Sequence, residues 1–297
     1  MSADPAPGAD ALPSLSVVMA CRNGADALPE TLEALAAQVY PGWWEVVFVD
    51  NGSTDDTVEV AGRYADRFER WTLRRNPDPG YQPSAINHGI ATSTGEVIAF
   101  LDADDLVETD YLLHLGRALR TAELVGGKVD ITRLNSPEVQ RRRRPLQTER
   151  IETYDDYLPA VVGAAMGSTR AAMELVGGWD ASLPTQHDLD VCWRLHRAGV
   201  RAEFVPEAVL HYRYREGASQ VWHQELGYGE GEVALYRRHR AHGMPRRGPA
   251  QVLVSCARVL LAVLTAWRPG GRERVATQVG HQVGRVRGSL RYRTLFL

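Results

Sequence analysis

The chain has 297 residues, 44% of them hydrophobic, which excludes a largely disordered protein and allows one large α/β domain with appendages. Its formal net charge of -3 is unevenly distributed along the chain. The segment from Arg237 onward contains 13 arginines and a single acid, Glu273, and so carries about +12. This split predicts an anionic partner for the C-terminal segment, such as a lipid surface, and an acidic body suited to holding metal ions.

The N-terminal part of the chain alternates between predicted strands and helices. Residues 1–13 have neither an apolar run nor a basic start, so they indicate a loose tail instead of a secretory signal and predict a cytoplasmic protein. The β-branched runs at 15–21 and 45–50 predict two strands, and leucines at helical spacing predict a helix over 27–38 between them. The alternation continues with helices at 55–68, 84–91 and 111–122 and strands at 71–74, 97–101 and 125–133.

This order of elements predicts the fold class α/β, with a mostly parallel, doubly wound sheet flanked by helices. Ligands of such sheets bind in the crevice at the carboxyl ends of the strands, so the polar residues that follow each strand are the candidate site residues. The three cysteines, Cys21, Cys192 and Cys256, are not clustered, which disfavours a disulfide framework or a zinc site.

The second half of the body is less regular. Four arginines at 141–144, placed between two prolines, predict a mobile loop. A helix is predicted over 188–197, followed by a strand at 201–205 and a short strand that ends at His211. From Gln220 onward the sequence becomes helical and basic.

The segment 250–267 is apolar but carries a polar stripe. With a central arginine it is marginal for a membrane span. Three alternatives therefore stay open: a packing helix, a membrane-surface or dimerisation helix, and, least favoured, a true span. The residues of the stripe are Gln251, Ser255, Arg258 and Thr265.

Carboxylates follow two of the predicted strands. Asp102 and Asp104 come directly after the strand at 97–101, where they can share a cation, and hard oxygen ligands suit Mg²⁺ or Mn²⁺. The alternative is a solvated acidic turn that caps the next helix. Asp50 ends the second strand, where a carboxylate can accept hydrogen bonds from a base or a ribose.

Several motifs occur together in one order. They are Ala20-Cys21-Arg22-Asn23, Val49-Asp50-Asn51-Gly52-Ser53-Thr54-Asp55, Ala85-Ile86-Asn87-His88-Gly89, Phe100-Leu101-Asp102-Ala103-Asp104-Asp105, Gly177-Gly178-Trp179-Asp180 and His187-Asp188-Leu189-Asp190. Together these motifs resemble family 2 glycosyltransferases of the GT-A fold. The resemblance covers about residues 14–215, with a donor half of about 14–105 and an acceptor half of about 106–215, and leaves the Arg-rich segment 216–297 outside as a helical extension.

The resemblance implies an inverting transfer of a sugar from a nucleotide-diphosphate sugar to an acceptor hydroxyl, with Mn²⁺ or Mg²⁺ as cofactor. UDP, dTDP and GDP sugars all fit as donors, and the acceptor is unknown. The implied donor-binding residues are Ala20, Arg22, Asp50, Asn87 and Asp102, and the implied metal ligands are Asp104 and His211. From the residues alone, a single histidine after a strand more often has a structural hydrogen-bonding role.

Asp188 matches the family's catalytic base, in a motif that usually reads Glu-Asp-x-Asp and here has His187 in the Glu position. The spacing Thr185-x-x-Asp188 also predicts a capping box, and both interpretations can hold together. Trp179 and Asp180 lie where the family approaches its acceptor, and the Trp179 ring can either stack on a sugar or fill the core.

Other classes of function fit less well. A non-catalytic nucleotide-sugar-binding protein acting through its basic C-terminal surface is the alternative function. A dinucleotide-dependent oxidoreductase would need Gly-x-Gly-x-x-Gly after the first strand, and the sequence there is Cys21-Arg22-Asn23-Gly24-Ala25-Asp26. Nucleic acid binding is disfavoured because no known module is present. The basic segment fits a peripheral position at the inner face of the cell membrane, and its helices allow a homodimer.

Overall fold

In the computed structural model, residues 11–143 and 146–296 are described, so most of the predicted loose tail lies outside them. The strands are β1 (Leu15–Cys21), β2 (Trp44–Asp50), β3 (Trp71–Arg75), β4 (Val97–Phe100), β5 (Leu106–Val107), β6 (Leu124–Asp130), β7 (Glu152–Tyr154), β8 (Leu158–Ala160), β9 (Met166–Thr169) and β10 (Ala202–His211). The α-helices are α1 (Leu28–Ala36), α2 (Thr57–Arg63), α3 (Gln82–Thr92), α4 (Tyr111–Ala118), α5 (Pro137–Arg142), α6 (Arg170–Leu175), α7 (His187–Arg197), α8 (Ala218–His239), α9 (Pro249–Leu264) and α10 (Gly271–Arg291).

Eight strands form one sheet in the order β3-β2-β1-β4-β9-β6-β10-β5. The pairs β1–β2, β1–β4, β2–β3 and β6–β10 are parallel, whereas β9 runs antiparallel between β4 and β6. The predicted mostly parallel sheet is therefore confirmed. Strand β9 was missed because its sequence, Met-Gly-Ser-Thr, is too short and too polar to show an apolar run.

Helices cover both faces of the sheet, which produces two apolar layers. On one face, Leu28, Leu32 and Leu35 of α1 pack on β1 and β2, because their helical spacing places them on one side. On the other face, α3, α7 and α8 contribute apolar side chains such as Ile86, Trp193 and Leu235. The central strands are thus buried on both sides, which explains the continuous apolar sequence of β1.

Two predictions about local structure need correction. The helix predicted over 55–68 is shorter, because α2 ends at Arg63 and a 3₁₀ turn follows at Ala65–Arg67. The mobile loop predicted at 141–144 is wrong for the three arginines that the structure describes. Arg141 and Arg142 end α5, Arg142 forms an ion pair with Glu273, and Arg143 lies 3.2 Å from Glu225. Carboxylates from the C-terminal helices therefore hold this segment.

The C-terminal extension is helical, as predicted, and α8 packs closely against α10. A Cβ atom at Gly229 would lie 2.1 Å from the carbonyl oxygen of His281, and one at Gly284 would lie 2.3 Å from that of Leu226. Only glycine permits these backbones to approach so closely. Inside the contact, Arg285 forms an ion pair with Glu232. The helices α8 and α10 of the extension therefore form one tightly packed pair.

Helix α9 differs from a packing helix, because its buried side is small and its apolar side faces outward. Ser255 and Ala262 are its buried residues, whereas Leu260 and Leu264 are exposed. The packing alternative for 250–267 is therefore wrong. Within the described ranges, none of the helices combines the length and apolar content that crossing a membrane requires.

Candidate active site

A cleft of about 1120 Å³ opens at the carboxyl ends of β1 and β4. Its walls come from the segments after these two strands, from the start of α7 and from one side of α8. Six of the predicted site residues line the cleft, namely Ala20, Arg22, Asp102, Asp104, Trp179 and Asp188. Four do not line it, namely Asp50, Asn87, Asp180 and His211.

Three carboxyl groups meet directly after β4; Asp102 and Asp104 line the cleft, and Asp105 is buried. One oxygen from each of Asp102, Asp104 and Asp105 lies within 4.8 Å of the others. Gln82 donates a hydrogen bond of 2.8 Å to Asp102 Oδ1, and the backbone N–H of Arg213 donates one of 2.8 Å to Asp105 Oδ1. The other Asp105 oxygen is buried without a hydrogen-bond partner. This set of hard oxygen donors fits Mg²⁺ or Mn²⁺, and the unpartnered oxygen leaves a place for such a cation.

Burial and mutual repulsion disfavour ionisation of these carboxyl groups in the metal-free protein. Burial, followed by the charge of Asp104, raises the pKa of Asp102 to about 7. Burial also raises the pKa of Asp104, against the opposing charges of Arg215 and Arg213. For Asp105, burial and the two neighbouring carboxylates raise the pKa well above its usual value. A divalent cation would remove this repulsion.

Stabilisation by Mn²⁺ should therefore increase with pH. The pKa of Asp102 rises from 3.8 to about 7 on folding, so its contribution to stability is complete below pH 3.8 and is lost as the pH passes about 7. Cation binding needs the ionised carboxylates and displaces the proton, so it strengthens over the same range. Thermal unfolding with and without Mn²⁺ between about pH 5.5 and 8 measures this. A stabilisation by Mn²⁺ that does not change with pH in the wild type, or whose pH dependence is the same in Asp102→Asn, would contradict it.

Asp188 lies in the first turn of α7, with its carboxylate held from both sides. Its Oδ2 accepts a hydrogen bond of 3.1 Å from the backbone N–H of Gly163, and its Oδ1 accepts one of 3.0 Å from that of Leu189. The predicted capping box with Thr185 is wrong, because that hydroxyl donates to the carbonyl of Gly227 in α8 at 2.9 Å. Asp188 thus lines the cleft in a fixed orientation and is close enough for its charge to raise the pKa of Asp102.

The Glu position of the family motif is occupied by His187, which is buried beside Trp179. The two rings lie 5.3 Å apart, and His187 Nδ1 is buried without a hydrogen-bond partner. Burial lowers the pKa of His187, against the charges of Asp188 and Asp190. His187 thus supplies an uncharged ring next to Asp188 where the motif usually carries a carboxylate.

Asp50 and Asn87 were expected to bind the donor, but neither side chain lines the cleft. Asp50 is buried at the end of β2, where it accepts a hydrogen bond of 3.0 Å from the backbone N–H of Ser53, and its neighbour Asn51 lines the cleft instead. The Asn87 amide makes both of its hydrogen bonds with the backbone of one residue. It donates to the carbonyl of Trp179 at 2.7 Å and accepts from the Trp179 N–H at 2.9 Å. Asn87 therefore positions the Trp179 turn.

His211 is the clearest difference from the expected metal site. Its Nδ1 lies 2.8 Å from Asp130 and its Nε2 lies 2.7 Å from Glu108, so both ring nitrogens are already engaged. A metal ligand needs one free ring nitrogen. In this structure His211 therefore connects β10 to residues of β6 and of the segment after β5, and its metal role stays a prediction.

Trp179 and Asp180 were expected on the acceptor side. The Trp179 side chain is buried, and its ring contacts Phe100 edge-on at a centroid distance of 5.1 Å. Trp179 lines the cleft, but its burial and its contact with Phe100 favour a packing role over stacking on a sugar. Asp180 forms an ion pair with Arg238 of α8 and accepts a hydrogen bond of 2.7 Å from the Ser182 hydroxyl. Asp180 thus connects the acceptor-side turn to α8.

Asp190 anchors α8 to α7 through a buried charge network. Its carboxylate is fully buried and lies 2.8 Å from Arg194, 2.9 Å from His239 and 2.7 Å from Arg238. Replacing Asp190 with Asn is expected to lower the free energy of unfolding by about 3 kcal/mol, because the half-buried Arg194 loses its charged partner. Urea denaturation measures the loss, with the exposed Asp66→Asn as control. A loss below about 1 kcal/mol would contradict the anchoring role.

Part of the cleft comes from residues that the sequence did not single out. Helix α8, which lies outside the predicted domain, lines the cleft with Gln224 and Tyr228, and burial raises the pKa of the Tyr228 hydroxyl, with a further contribution from the charge of Asp188. Arg213 and Arg215 follow β10 and bring positive charge to the acidic cluster. The one available signal was this pair of arginines directly after a strand.

Sequence comparison places these observations among known proteins. A sequence model of the family described as Glycosyl transferase family 2 matches residues 16–175. The poly-beta-1,6-N-acetyl-D-glucosamine synthase of Staphylococcus aureus strain MSSA476 is 23% identical over 236 residues, which cover 76% of this chain and 57% of that protein. The synthase of Staphylococcus epidermidis is 22% identical over 231 residues, covering 74% and 55%. The chain therefore spans little more than half the length of these relatives.

Solved structures share the fold. Mannosyltransferase PcManGT from Pyrobaculum calidifontis, in complex with GDP-Man and Mn²⁺, superimposes with a TM-score of 0.66 at 20% identity and covers 96% of this chain and 89% of its own. S. aureus TarS 1-349 in complex with UDP-GlcNAc gives a TM-score of 0.55 at 15% identity, covering 95% and 92%. At these identities the likeness concerns the fold, and it confirms the GT-A type arrangement.

Proposed function

The chain belongs to glycosyl transferase family 2, and from this premise we propose that it is a metal-dependent, inverting glycosyltransferase. In this proposal it transfers a sugar from a nucleotide-diphosphate sugar to an acceptor hydroxyl. One observation carries the proposal: Asp102 and Asp104 of the acidic cluster line the same cleft as the separately held carboxylate of Asp188.

The acidic cluster is the proposed donor diphosphate site. Asp102, Asp104 and Asp105 would hold Mn²⁺ or Mg²⁺, and the bound cation would neutralise charge on the departing diphosphate. Arg213 and Arg215 line the same cleft and can contribute positive charge to that leaving group. The PcManGT complex with GDP-Man and Mn²⁺ and the TarS complex with UDP-GlcNAc support this assignment. The donor is proposed to be a UDP, dTDP or GDP sugar.

Asp188 is the proposed catalytic base. It would accept the proton of the acceptor hydroxyl while that oxygen bonds to the anomeric carbon and the bond from this carbon to the diphosphate breaks. One displacement of this kind inverts the anomeric configuration and needs no covalent enzyme intermediate. The hydrogen bonds from Gly163 and Leu189 fix the carboxylate and so keep the base oriented.

The segments of the chain have different roles in this proposal. Residues of about 14–105 would bind the donor, and about 106–215 would shape the acceptor side. Helix α8 of the extension at 216–297 would add a wall of the cleft, which its contact between Gly227 and Thr185 supports. Truncating the chain before α8 should therefore remove part of the site as well as the basic segment.

We also propose that the protein works in the cytoplasm as a peripheral protein at the inner face of the cell membrane. The outward apolar side of α9 and the arginines of the C-terminal segment support this position. Co-sedimentation with anionic vesicles tests the association. Binding that persists with neutral vesicles alone would argue against the electrostatic part of the proposal.

Release of free nucleotide diphosphate from UDP, dTDP and GDP sugars, with and without Mn²⁺, tests the central activity. The proposal expects metal-dependent turnover with one nucleotide class when an acceptor is present, and a slower hydrolysis without one. Donor binding without transfer to any acceptor would favour the alternative, a protein that binds nucleotide sugars and acts through its basic surface.

A further inference from the structure

A second cavity, of about 720 Å³, lies between α5, α9 and α10. Seven arginines line it, against two acids, Glu216 and Glu273. Such an excess of guanidinium groups is typical of a site for an anion, because arginine binds phosphate oxygens through two parallel hydrogen bonds.

Most of this positive charge is not neutralised by the protein. Arg142 forms an ion pair with Glu273, and Arg143 with Glu225. By contrast, Arg141, Arg258 and Arg268 line the cavity without an ion pair to any carboxylate in the described ranges. Like charges gathered around one space repel each other, so this arrangement is stabilised when an anion enters.

The apolar side of α9 runs directly beside the cavity. Leu253, Leu260, Leu264 and Trp267 are 69%, 60%, 63% and 80% exposed. Leu261 is 62% exposed and also lines the cavity, so the apolar side and the basic cavity share a border. This is the reverse of a helix packed on a core, whose apolar side faces inward.

We propose that this cavity binds the phosphate group of an anionic membrane lipid, whose hydrocarbon chains lie against the exposed side of α9. The positively charged arginines attract the phosphate group, and the adjoining leucines contact the hydrocarbon chains of the lipid. Arg268 lies over the Trp267 ring at 5.3 Å, which places a cation and an amphipathic ring at the same border, as expected where headgroups meet hydrocarbon.

The site would bring the lipid next to the active-site cleft. Arg143 and Arg215 line both the second cavity and the cleft. A lipid phosphate in the cavity therefore lies at the border of the proposed reaction site. The inference rests on the proposed membrane association and adds to it a defined binding site and orientation.

Vesicle binding tests the inference on the full-length protein, with vesicles of phosphatidylcholine containing phosphatidylglycerol and with phosphatidylcholine alone. The variant Arg258→Gln/Arg268→Gln should lose about thirtyfold in affinity for the anionic vesicles, since each basic residue at such a surface contributes about one kcal/mol. Arg240→Gln/Arg272→Gln removes the same charge from exposed positions outside the cavity lining and should lose less than about threefold.

The contact between the apolar side of α9 and the lipid is tested with a second variant and its control. Leu260→Ser/Leu264→Ser should lose vesicle binding, whereas Leu175→Ser, at an exposed position on α6, should not. All variants should retain nucleotide-induced thermal stabilisation with Mn²⁺, which separates failure of this inference from failure of the proposed transfer activity.

Three outcomes would overturn the inference. Equal losses in the two double arginine variants would indicate attraction to the basic surface as a whole. Displacement of the protein from vesicles by millimolar glycerol phosphate would indicate a site for free phosphate. A change of mass in sedimentation for Leu260→Ser/Leu264→Ser, with unchanged vesicle binding, would assign the apolar side to a second copy of the chain.

Discussion

Replacing Asp104 with Asn is expected to abolish metal-dependent donor binding and to lower sugar transfer by about a thousandfold or more. Asp104 lies in the three-carboxyl cluster, and the charges of Arg213 and Arg215 both lower its pKa against the effect of burial. Asn keeps the size of the side chain but removes the negative charge that a divalent cation needs. Donor binding by calorimetry with and without Mn²⁺, together with nucleotide release, measures both effects.

The matched control for this variant is Asp26→Asn. Asp26 is an exposed carboxylate that lines the same cleft but lies outside the acidic cluster. It should retain metal-dependent binding, and its turnover should stay within about tenfold of the wild type. If Asp104→Asn binds donor with unchanged dependence on Mn²⁺, the assignment of the cluster as the metal site is wrong.

Replacing Asp188 with Asn is expected to lower turnover by about a hundredfold to ten-thousandfold and to leave donor affinity within about threefold. The reason is that Asn preserves the acceptor for Gly163 N–H or Leu189 N–H but cannot take a proton from the acceptor hydroxyl. Single-turnover kinetics at saturating donor separate the chemical step from binding.

Two results would weigh against this role for Asp188. Loss of donor binding in Asp188→Asn would show that the carboxylate helps to build the donor site. A turnover near that of the wild type, with a normal pH profile, would show that another group removes the proton. Product analysis by NMR gives the anomeric configuration, and retention of configuration would exclude the single displacement.

The positions of site residues that depend on local sequence could be predicted from the sequence. The apolar runs of β1, β2 and β4 define the sheet edge, so Asp102 and Asp104 could be placed at the carboxyl end of β4 before any coordinates. Both line the cleft, and Asp188 lines it as well. The sequence predicts this placement because the residues directly after a parallel strand lie at the carboxyl edge of the sheet, where ligands bind.

The parts that depend on contacts between distant segments were not predictable. His211 was expected to bind metal, but its two partners, Asp130 and Glu108, lie 81 and 103 positions away in the sequence. The Asn87 amide binds the backbone of Trp179, 92 positions away. A motif specifies the type of side chain at a position. The hydrogen-bond partner of that side chain depends on how distant segments pack against it.

The role of the C-terminal segment shows the same limit. Its arginines and apolar run predicted a basic helical extension with an anionic partner, and the helices are present. The sequence did not show that α8 would close the cleft, since this depends on Thr185 reaching Gly227 and on Asp190 reaching Arg238. Nor did it show that Ser255 and Ala262 would be the buried residues of α9 while its leucines stay exposed.

The most direct test of the central claim is a thermal-shift measurement of the purified protein with UDP, dTDP, GDP and CDP sugars, each with and without Mn²⁺. A ligand that binds only the folded state raises its stability by mass action, about 2.7 kcal/mol at a hundredfold excess over Kd. We predict stabilisation by one nucleotide class that requires Mn²⁺ and disappears in Asp104→Asn. No response to any nucleotide sugar, or an equal response in Asp104→Asn, would contradict the assignment of the cleft as a metal-dependent donor site.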